Sequence, residues 1–154
     1  ARLTQQFFDD VLWGELDYLI LDLPPGTGDI QLTLVQKIAL SGAIIITTPQ
    51  DLSLIDAAKA ADMFKKVNTP ILGIIENMSY YIIPGTNEKV QIFPGNAGAI
   101  ESKRLNVPLI GKIMINPDIS AASDSGVPYV LKYESTEVAK VFQEISEEVV
   151  NNIN

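Results

Sequence analysis

The sequence predicts an α/β fold: a doubly wound, mostly parallel sheet with helices on both faces. Four short runs are apolar at consecutive positions, which is typical of strands buried on both faces of a parallel sheet. Segments with helical periodicity separate these runs, and this alternation is the order of βαβ units with right-handed crossovers. Of the 154 residues, 47% are apolar and 19% are charged. That balance supplies a core for one domain and argues against disorder.

The predicted strands are the four apolar runs. They cover residues 18–21, 43–47, 71–75 and 109–113. Ligands of open α/β sheets bind at the carboxyl ends of the strands. The residues that follow each run are therefore the candidates for function.

Helices are predicted where apolar side chains recur every three or four positions. They cover residues 30–40, 52–67, 97–105 and 136–153. Asp29 is the predicted cap of the first helix, and Ser135 is the predicted cap of the last. Asp51 or Ser53 is the candidate for the second helix. The connection over residues 77–94 shows no helical pattern, and loops of this length are often functional.

The first predicted strand is followed by Asp22 and then by the sequence LPPGTGD at residues 23–29. A carboxylate at the mouth of a buried strand is partly desolvated, and a hydrated Mg²⁺ offsets that cost. The prolines fix the backbone path, while Gly26 and Gly28 let backbone N–H groups approach an anion. One interpretation is a magnesium-linked aspartate beside a phosphate-sensing glycine. The other is a tight strand-to-helix turn capped by Asp29.

Polar residues also follow the next two predicted strands. The sequence TTPQ ends the second at residues 47–50, and Asn77 comes after the third. An asparagine amide is both an acceptor and a donor, and it pairs with the edge of adenine in other settings. The alternative is an asparagine that only forms a turn, and the local sequence leaves both open.

Composition excludes several kinds of chemistry. The chain contains no cysteine and no histidine, and its net charge is −8. Thiolate nucleophiles, Ser-His-Asp triads and the usual zinc or iron–sulfur ligand sets are therefore absent from it, so a metal here is expected to be a hard ion such as Mg²⁺. The acidic balance argues against a nucleic-acid surface. With no membrane-length apolar run and no secretion signal, a cytoplasmic location is expected.

Four blocks of sequence together resemble one known family, the Mrp/ApbC-type P-loop ATPases. The likeness is to the carboxyl-terminal portion of these MinD-related carriers, which assemble and deliver iron–sulfur clusters, and it runs from about residue 5 to at least residue 128. The blocks are WGELDYLILDLPPGTGDIQLTL at 13–34, TTPQDLSLIDAAKA at 47–60, ILGIIENMSYY at 71–81 and NVPLIGKIMINPDISAASDSGVP at 106–128.

The resemblance implies roles for five residues. Asp22 matches the family's Walker B aspartate, which acts on Mg²⁺ through water, and Gly26 matches the switch glycine near the γ-phosphate. Asn77 matches the asparagine that reads adenine. Pro117 and Asp118 match the loop beside the base. ATP and Mg²⁺ are the implied ligands.

Two motifs of the family have no counterpart here. The Gly-Lys-Gly-Gly-Val-Gly-Lys-Ser/Thr phosphate loop would lie well upstream of Asp22, and no Gly-rich loop with a lysine appears elsewhere. Residues 1–154 are therefore expected to be the distal part of a single P-loop ATPase domain whose amino-terminal part is missing. This part alone is expected to be inactive as an ATPase. At the place of the family's Cys-Pro-x-Cys motif the proline is kept as Pro84, but Ile83 and Thr86 stand where the two cysteines would be, so the iron–sulfur ligands are missing.

The leading hypothesis is a cytoplasmic, homodimeric ATPase that acts in iron–sulfur cluster assembly with client or scaffold proteins. It is expected to hydrolyse ATP by positioning and charge stabilisation, and to bind neither nucleic acid nor membrane. One alternative is a non-catalytic interaction module of the same fold. Another is a MinD/ParA-like positioning ATPase. Such proteins often use a basic amphipathic tail, whereas residues 136–154 are acidic.

Overall fold

A computed structural model describes residues 6, 10–23 and 28–153 of the chain. Helices alternate with strands along most of this length. In chain order the elements are α1 (Asp29–Lys37), β1 (Ala43–Thr47), α2 (Asp51–Lys66), β2 (Ile71–Glu76), β3 (Tyr81–Ile82), β4 (Lys89–Val90), α3 (Ala97–Leu105), β5 (Leu109–Lys112), α4 (Pro117–Asp124), α5 (Tyr129–Lys132) and α6 (Glu137–Ile153).

The described part contains a three-stranded sheet in the order β1-β2-β5, with both pairs parallel. Neighbouring residues of β2 face opposite ways. Ile74 packs in a core cluster with α1, α2 and α3, whereas Ile75 packs with Ile145 of α6 on the other face. Helices therefore cover both faces, as the runs of consecutive apolar residues predicted.

The predicted boundaries are close to the observed ones. The strand over residues 43–47 and the helix over 97–105 are confirmed without change. Two helix caps were wrong. The first helix begins at Asp29 itself, with Gly28 in the cap position. At the last helix, Thr136 rather than Ser135 is the cap, because its Oγ1 accepts a hydrogen bond from the Ala139 N–H at 3.2 Å.

The cap of the second helix was also wrong. Neither Asp51 nor Ser53 occupies the cap position of α2, which belongs to Gln50 without a side-chain cap bond. Asp51 is the first helical residue, where its negative charge is favourable next to the positive end of the helix dipole.

The strand predicted over residues 18–21 was wrong. These residues form no strand, and Ile20 is 90% exposed. A strand needs a neighbour for its backbone hydrogen bonds, and within the described residues β1 pairs only with β2. Ile46 of β1 is 63% exposed although its flanking residues Ile45 and Thr47 are buried. This end of the sheet is open in the described part of the chain.

The long connection over residues 77–94 contains a small antiparallel hairpin of β3 and β4, which the sequence did not predict. The Lys89 ammonium lies 4.6 Å from the centroid of the Tyr80 ring and 3.4 Å from Glu137 Oε1. Attraction to Tyr80, and then to Glu137, raises the pKa of Lys89. These contacts join the hairpin to the start of α6.

An ion-pair network joins α2 and α3. The Arg104 guanidinium donates to both carboxylate oxygens of Glu101, at 2.7 and 2.8 Å, and to Asp62 Oδ1 at 3.0 Å. Glu101 is fully buried. Its hydrogen bonds are the largest cause of the raised pKa of Arg104. The bidentate pair lies within α3 and fixes the orientation of the Arg104 side chain. The bond from Arg104 to Asp62 links α3 to α2.

Within residues 6, 10–23 and 28–153, no helix combines the length and the apolar character that crossing a membrane requires.

Candidate functional site

The three parallel strands end at one edge of the sheet. Thr47, Glu76 and Lys112 are register partners across β1, β2 and β5. The ladder continues beyond the strand ends, because the Asn77 N–H donates to the Thr47 carbonyl at 2.8 Å and the Ile113 N–H donates to the Glu76 carbonyl at 2.9 Å. This carboxyl edge is where ligands of α/β sheets bind.

Asn77 lies at this edge, half-buried in the turn that follows β2. Its Oδ1 accepts a hydrogen bond from the Met78 N–H at 2.9 Å, and Met78 has a left-handed φ of 54°. Asn77 is thus a turn residue, one of the two possibilities that the sequence left open. Its Nδ2 group makes no hydrogen bond to another described residue, so a donor remains for a ligand.

Pro117 and Asp118 begin α4 on the exposed side of the same edge. The Asn116 side chain caps this helix by accepting from the Asp118 N–H at 2.8 Å. The segment before α4 runs beside the turn of Asn77, because the Ile115 N–H donates to the Tyr80 carbonyl at 2.7 Å. Asn77, Pro117 and Asp118 therefore follow adjacent strands.

Asp22 is exposed and does not end a strand. The next residue, Leu23, is partly buried against the core cluster of α1, α2 and β1, which anchors the segment on that side. Asp22 forms no hydrogen bond or ion pair with Asn77, Pro117 or Asp118. Gly26 lies outside the described residues.

Glu76 is a residue of this edge that sequence reasoning did not single out. It is fully buried, yet it carries a carboxylate at the end of an apolar strand. It accepts hydrogen bonds from the Ser79 hydroxyl and from the Gly98 N–H, the latter at 2.9 Å, and its Oε1 lies 3.4 Å from the Lys112 ammonium. The sequence did contain a signal for this residue, namely its position at the end of an apolar strand. A glutamate there is costly to bury unless partners satisfy its carboxylate.

The loop before α3 contacts the end of β1 closely. Gly95 has a φ of 129°, and a Cβ there would lie 2.0 Å from the Pro49 carbonyl oxygen. The Ala97 N–H donates to the same oxygen at 3.2 Å. These contacts require glycine at position 95, and they place the start of α3 at the carboxyl edge.

Within the described ranges, no group of three or more acidic, histidine or cysteine residues is arranged to hold a metal ion. Mg²⁺ at phosphate-transfer sites is usually bound by one or two carboxylates together with substrate phosphates and water. Asp22 is an exposed carboxylate next to the anchored Leu23.

Comparison with known proteins identifies the family. The family model described as the NUBPL iron-transfer P-loop NTPase, ParA, matches residues 1–150. The chain belongs to this family. The family resemblance predicted from the sequence is thereby confirmed.

Relatives of known sequence or structure agree with this assignment. The iron–sulfur cluster carrier protein of Pyrococcus furiosus is 46% identical over 153 residues, covering 99% of this chain and 52% of that protein. A nucleotide-binding protein from Archaeoglobus fulgidus, solved with ADP, is 38% identical with a TM-score of 0.74, over 82% of this chain and 52% of that one. MinD of Pyrococcus horikoshii, solved with Mg-ADP, is 28% identical with a TM-score of 0.55, over 71% and 41%.

These likenesses confirm the predicted α/β fold with a parallel sheet, similar to MinD-like P-loop NTPases. The chain spans about half the length of the curated relatives it matches, as the 52% coverage of the Pyrococcus furiosus protein shows.

Proposed function

We propose that the chain is the distal part of a P-loop ATPase domain, and that the whole protein binds and hydrolyses ATP in the assembly or transfer of iron–sulfur clusters. The match of residues 1–150 to the family of iron-transfer P-loop NTPases carries this proposal. The relative from Archaeoglobus fulgidus is a nucleotide-binding protein solved with ADP. The carboxyl edge of the sheet, with Asn77 beside the start of α4, supports a nucleotide site here.

In this proposal each predicted site residue has one role. Asp22 holds Mg²⁺ through water, and Gly26 lies near the γ-phosphate. Asn77 pairs with adenine through the amide that its turn leaves available, while Pro117 and Asp118 line the base. The magnesium ion supplies positive charge that offsets the charge developing on the phosphates. The protein works in the cytoplasm as a homodimer.

The first test separates this chain from the longer protein. The chain alone should show no ATP binding by calorimetry, because backbone amides and a lysine of a phosphate loop provide most of the phosphate contacts in P-loop NTPases. The protein with its upstream segment, carrying such a loop, should bind Mg-ATP. Tight binding by the 154-residue chain would contradict the assignment of the phosphate contacts to an upstream segment.

Cluster binding is a separate matter, because this chain has no cysteine and no histidine and its residues do not fit an iron–sulfur cluster. Incubating it with iron and sulfide should therefore give no cluster absorption. Ile83 and Thr86 form one turn at the tip of the hairpin, with the Thr86 N–H donating to the Ile83 carbonyl at 3.1 Å. The double variant Ile83→Cys, Thr86→Cys is the matched control, since it places two thiols on that turn.

A stable cluster on the unmodified chain would mean that ligands other than thiols hold it. In the proposed protein the cluster is cargo, and its thiol ligands belong to another segment or to a partner.

The two alternative functions predict different results. A non-catalytic interaction module would bind no ATP even with its upstream segment present. A positioning ATPase would bind ATP and associate with a surface. Against surface association, the amphipathic helix α6 exposes acidic side chains at Glu137, Glu144, Glu147 and Glu148, which repel anionic lipid.

A further inference from the structure

We propose that Glu76 is a positioning residue whose buried carboxylate sets the turn of Asn77 and thereby the preference for adenine over other bases. The inference rests on the proposed nucleotide site. It concerns a residue next to Asn77 that does not itself contact the base.

The burial of this carboxylate calls for an explanation. Glu76 is the last residue of β2 and is fully buried, although the rest of the strand is isoleucine, leucine and glycine. An apolar side chain of similar size often serves stability as well as a buried ion pair does, or better. A charge at this position is therefore better explained by the groups that it orients than by a gain in stability.

Each partner of Glu76 belongs to a different element of the carboxyl edge. Ser79 lies at the far end of the turn, Gly98 lies in the first turn of α3, and Lys112 ends β5. The contact with α3 is close, since a Cβ at Gly98 would lie 2.9 Å from the Cβ of Glu76. One carboxylate thus fixes the turn relative to the neighbouring helix and the neighbouring strand.

The turn needs such a constraint. Between Glu76 and Ser79 lie only Asn77 and Met78, and Met78 adopts a left-handed conformation that L-residues rarely use. The Ser79 hydroxyl donates to the Glu76 carboxylate across this turn, and the Ser79 N–H donates to the Ile113 carbonyl at 2.9 Å. With both ends fixed, the Asn77 amide has one orientation rather than several.

The test uses the longer protein, which is this chain together with its upstream segment. Its binding of ATP and of GTP is measured by calorimetry. Three variants report on the turn: Glu76→Gln, Ser79→Ala and Asn77→Ala. Glu76→Gln keeps the shape but loses the charge that pairs with Lys112, and Ser79→Ala removes only the bond across the turn. Each of these two should lower the preference for ATP over GTP about tenfold by weakening ATP binding alone. Asn77→Ala should lower it at least as much.

The matched control is Glu101→Gln. Among the described residues Glu101 is also a fully buried glutamate in an ion pair, but its partner is Arg104 and not a residue of the turn. It should destabilise the fold without changing the ATP-to-GTP ratio. Circular dichroism checks that every variant is folded. If Glu76→Gln does not fold, the ATP-to-GTP ratio of Ser79→Ala tests the role of Glu76.

The outcomes separate the two proposals. Folded Glu76→Gln and Ser79→Ala proteins with an unchanged ATP-to-GTP ratio, beside an Asn77→Ala protein that loses its preference, would overturn the role of Glu76 alone. A longer protein that binds neither nucleotide would overturn the proposed function and this inference with it. If Glu101→Gln loses its preference for ATP as much as Glu76→Gln does, the loss reflects lower stability in general. That result would also overturn the positioning role of Glu76.

Discussion

Replacing Asp22 by asparagine in the longer protein should lower magnesium-dependent ATP hydrolysis by about 100-fold or more, the usual cost of removing one strong electrostatic contact at a reacting centre. Asparagine keeps the size of the side chain but not its charge, so it binds the hydrated ion poorly. Because Asp22 is exposed, the fold should be unaffected. Steady-state release of phosphate measures the effect.

Asp17→Asn is the matched control for this variant. Asp17 is an exposed aspartate of the same segment, five positions earlier, and it should retain full hydrolysis. Wild-type turnover in Asp22→Asn would remove Asp22 from the site. An equal loss in both variants would show that the charge of the whole segment matters rather than one ligand.

Gly95→Ala should lower the free energy of unfolding by at least about 3 kcal/mol. Alanine is strained at a φ of 129°, and its Cβ would lie 2.0 Å from the carbonyl oxygen of Pro49. Either the end of β1 or the start of α3 must move, and the hydrogen bond from Ala97 to Pro49 would be lost with that movement. Urea unfolding monitored by circular dichroism measures the change.

Gly85→Ala separates the two causes. Gly85 also has a positive φ, 78°, but a Cβ there meets nothing within 4 Å. This variant should cost only about 1–2 kcal/mol, the strain of a left-handed conformation. Equal costs at the two positions would show that the contact with Pro49 relaxes freely.

Much of the fold follows from local sequence. The apolar run that forms β1 and the helical periodicity of α3 are each sufficient to define their element, and both were predicted residue for residue. The observed cap differs from the predicted one by a single residue where two capping candidates are adjacent in sequence, as Ser135 and Thr136 are. The two-residue strands β3 and β4 are too short to give a periodic signal.

The wrong prediction of a strand over residues 18–21 has a different cause. Their apolar run is as strong as that of β1, but a strand exists only beside another strand, and pairing is not a local property. The same limit applies to the site. Asn77 is visible as a polar residue after a strand, whereas the importance of Glu76 depends on Gly98 and Lys112, which are distant in sequence.

The open side of β1 has a consequence for the protein as an assembly of parts. Its backbone donors and acceptors face away from β2 with no partner in the described part of the chain, and Ile46 is exposed beside them. Such an edge accepts another strand readily. In the proposed protein, a strand from the preceding polypeptide would cover this edge. We expect the chain kept alone to aggregate through it.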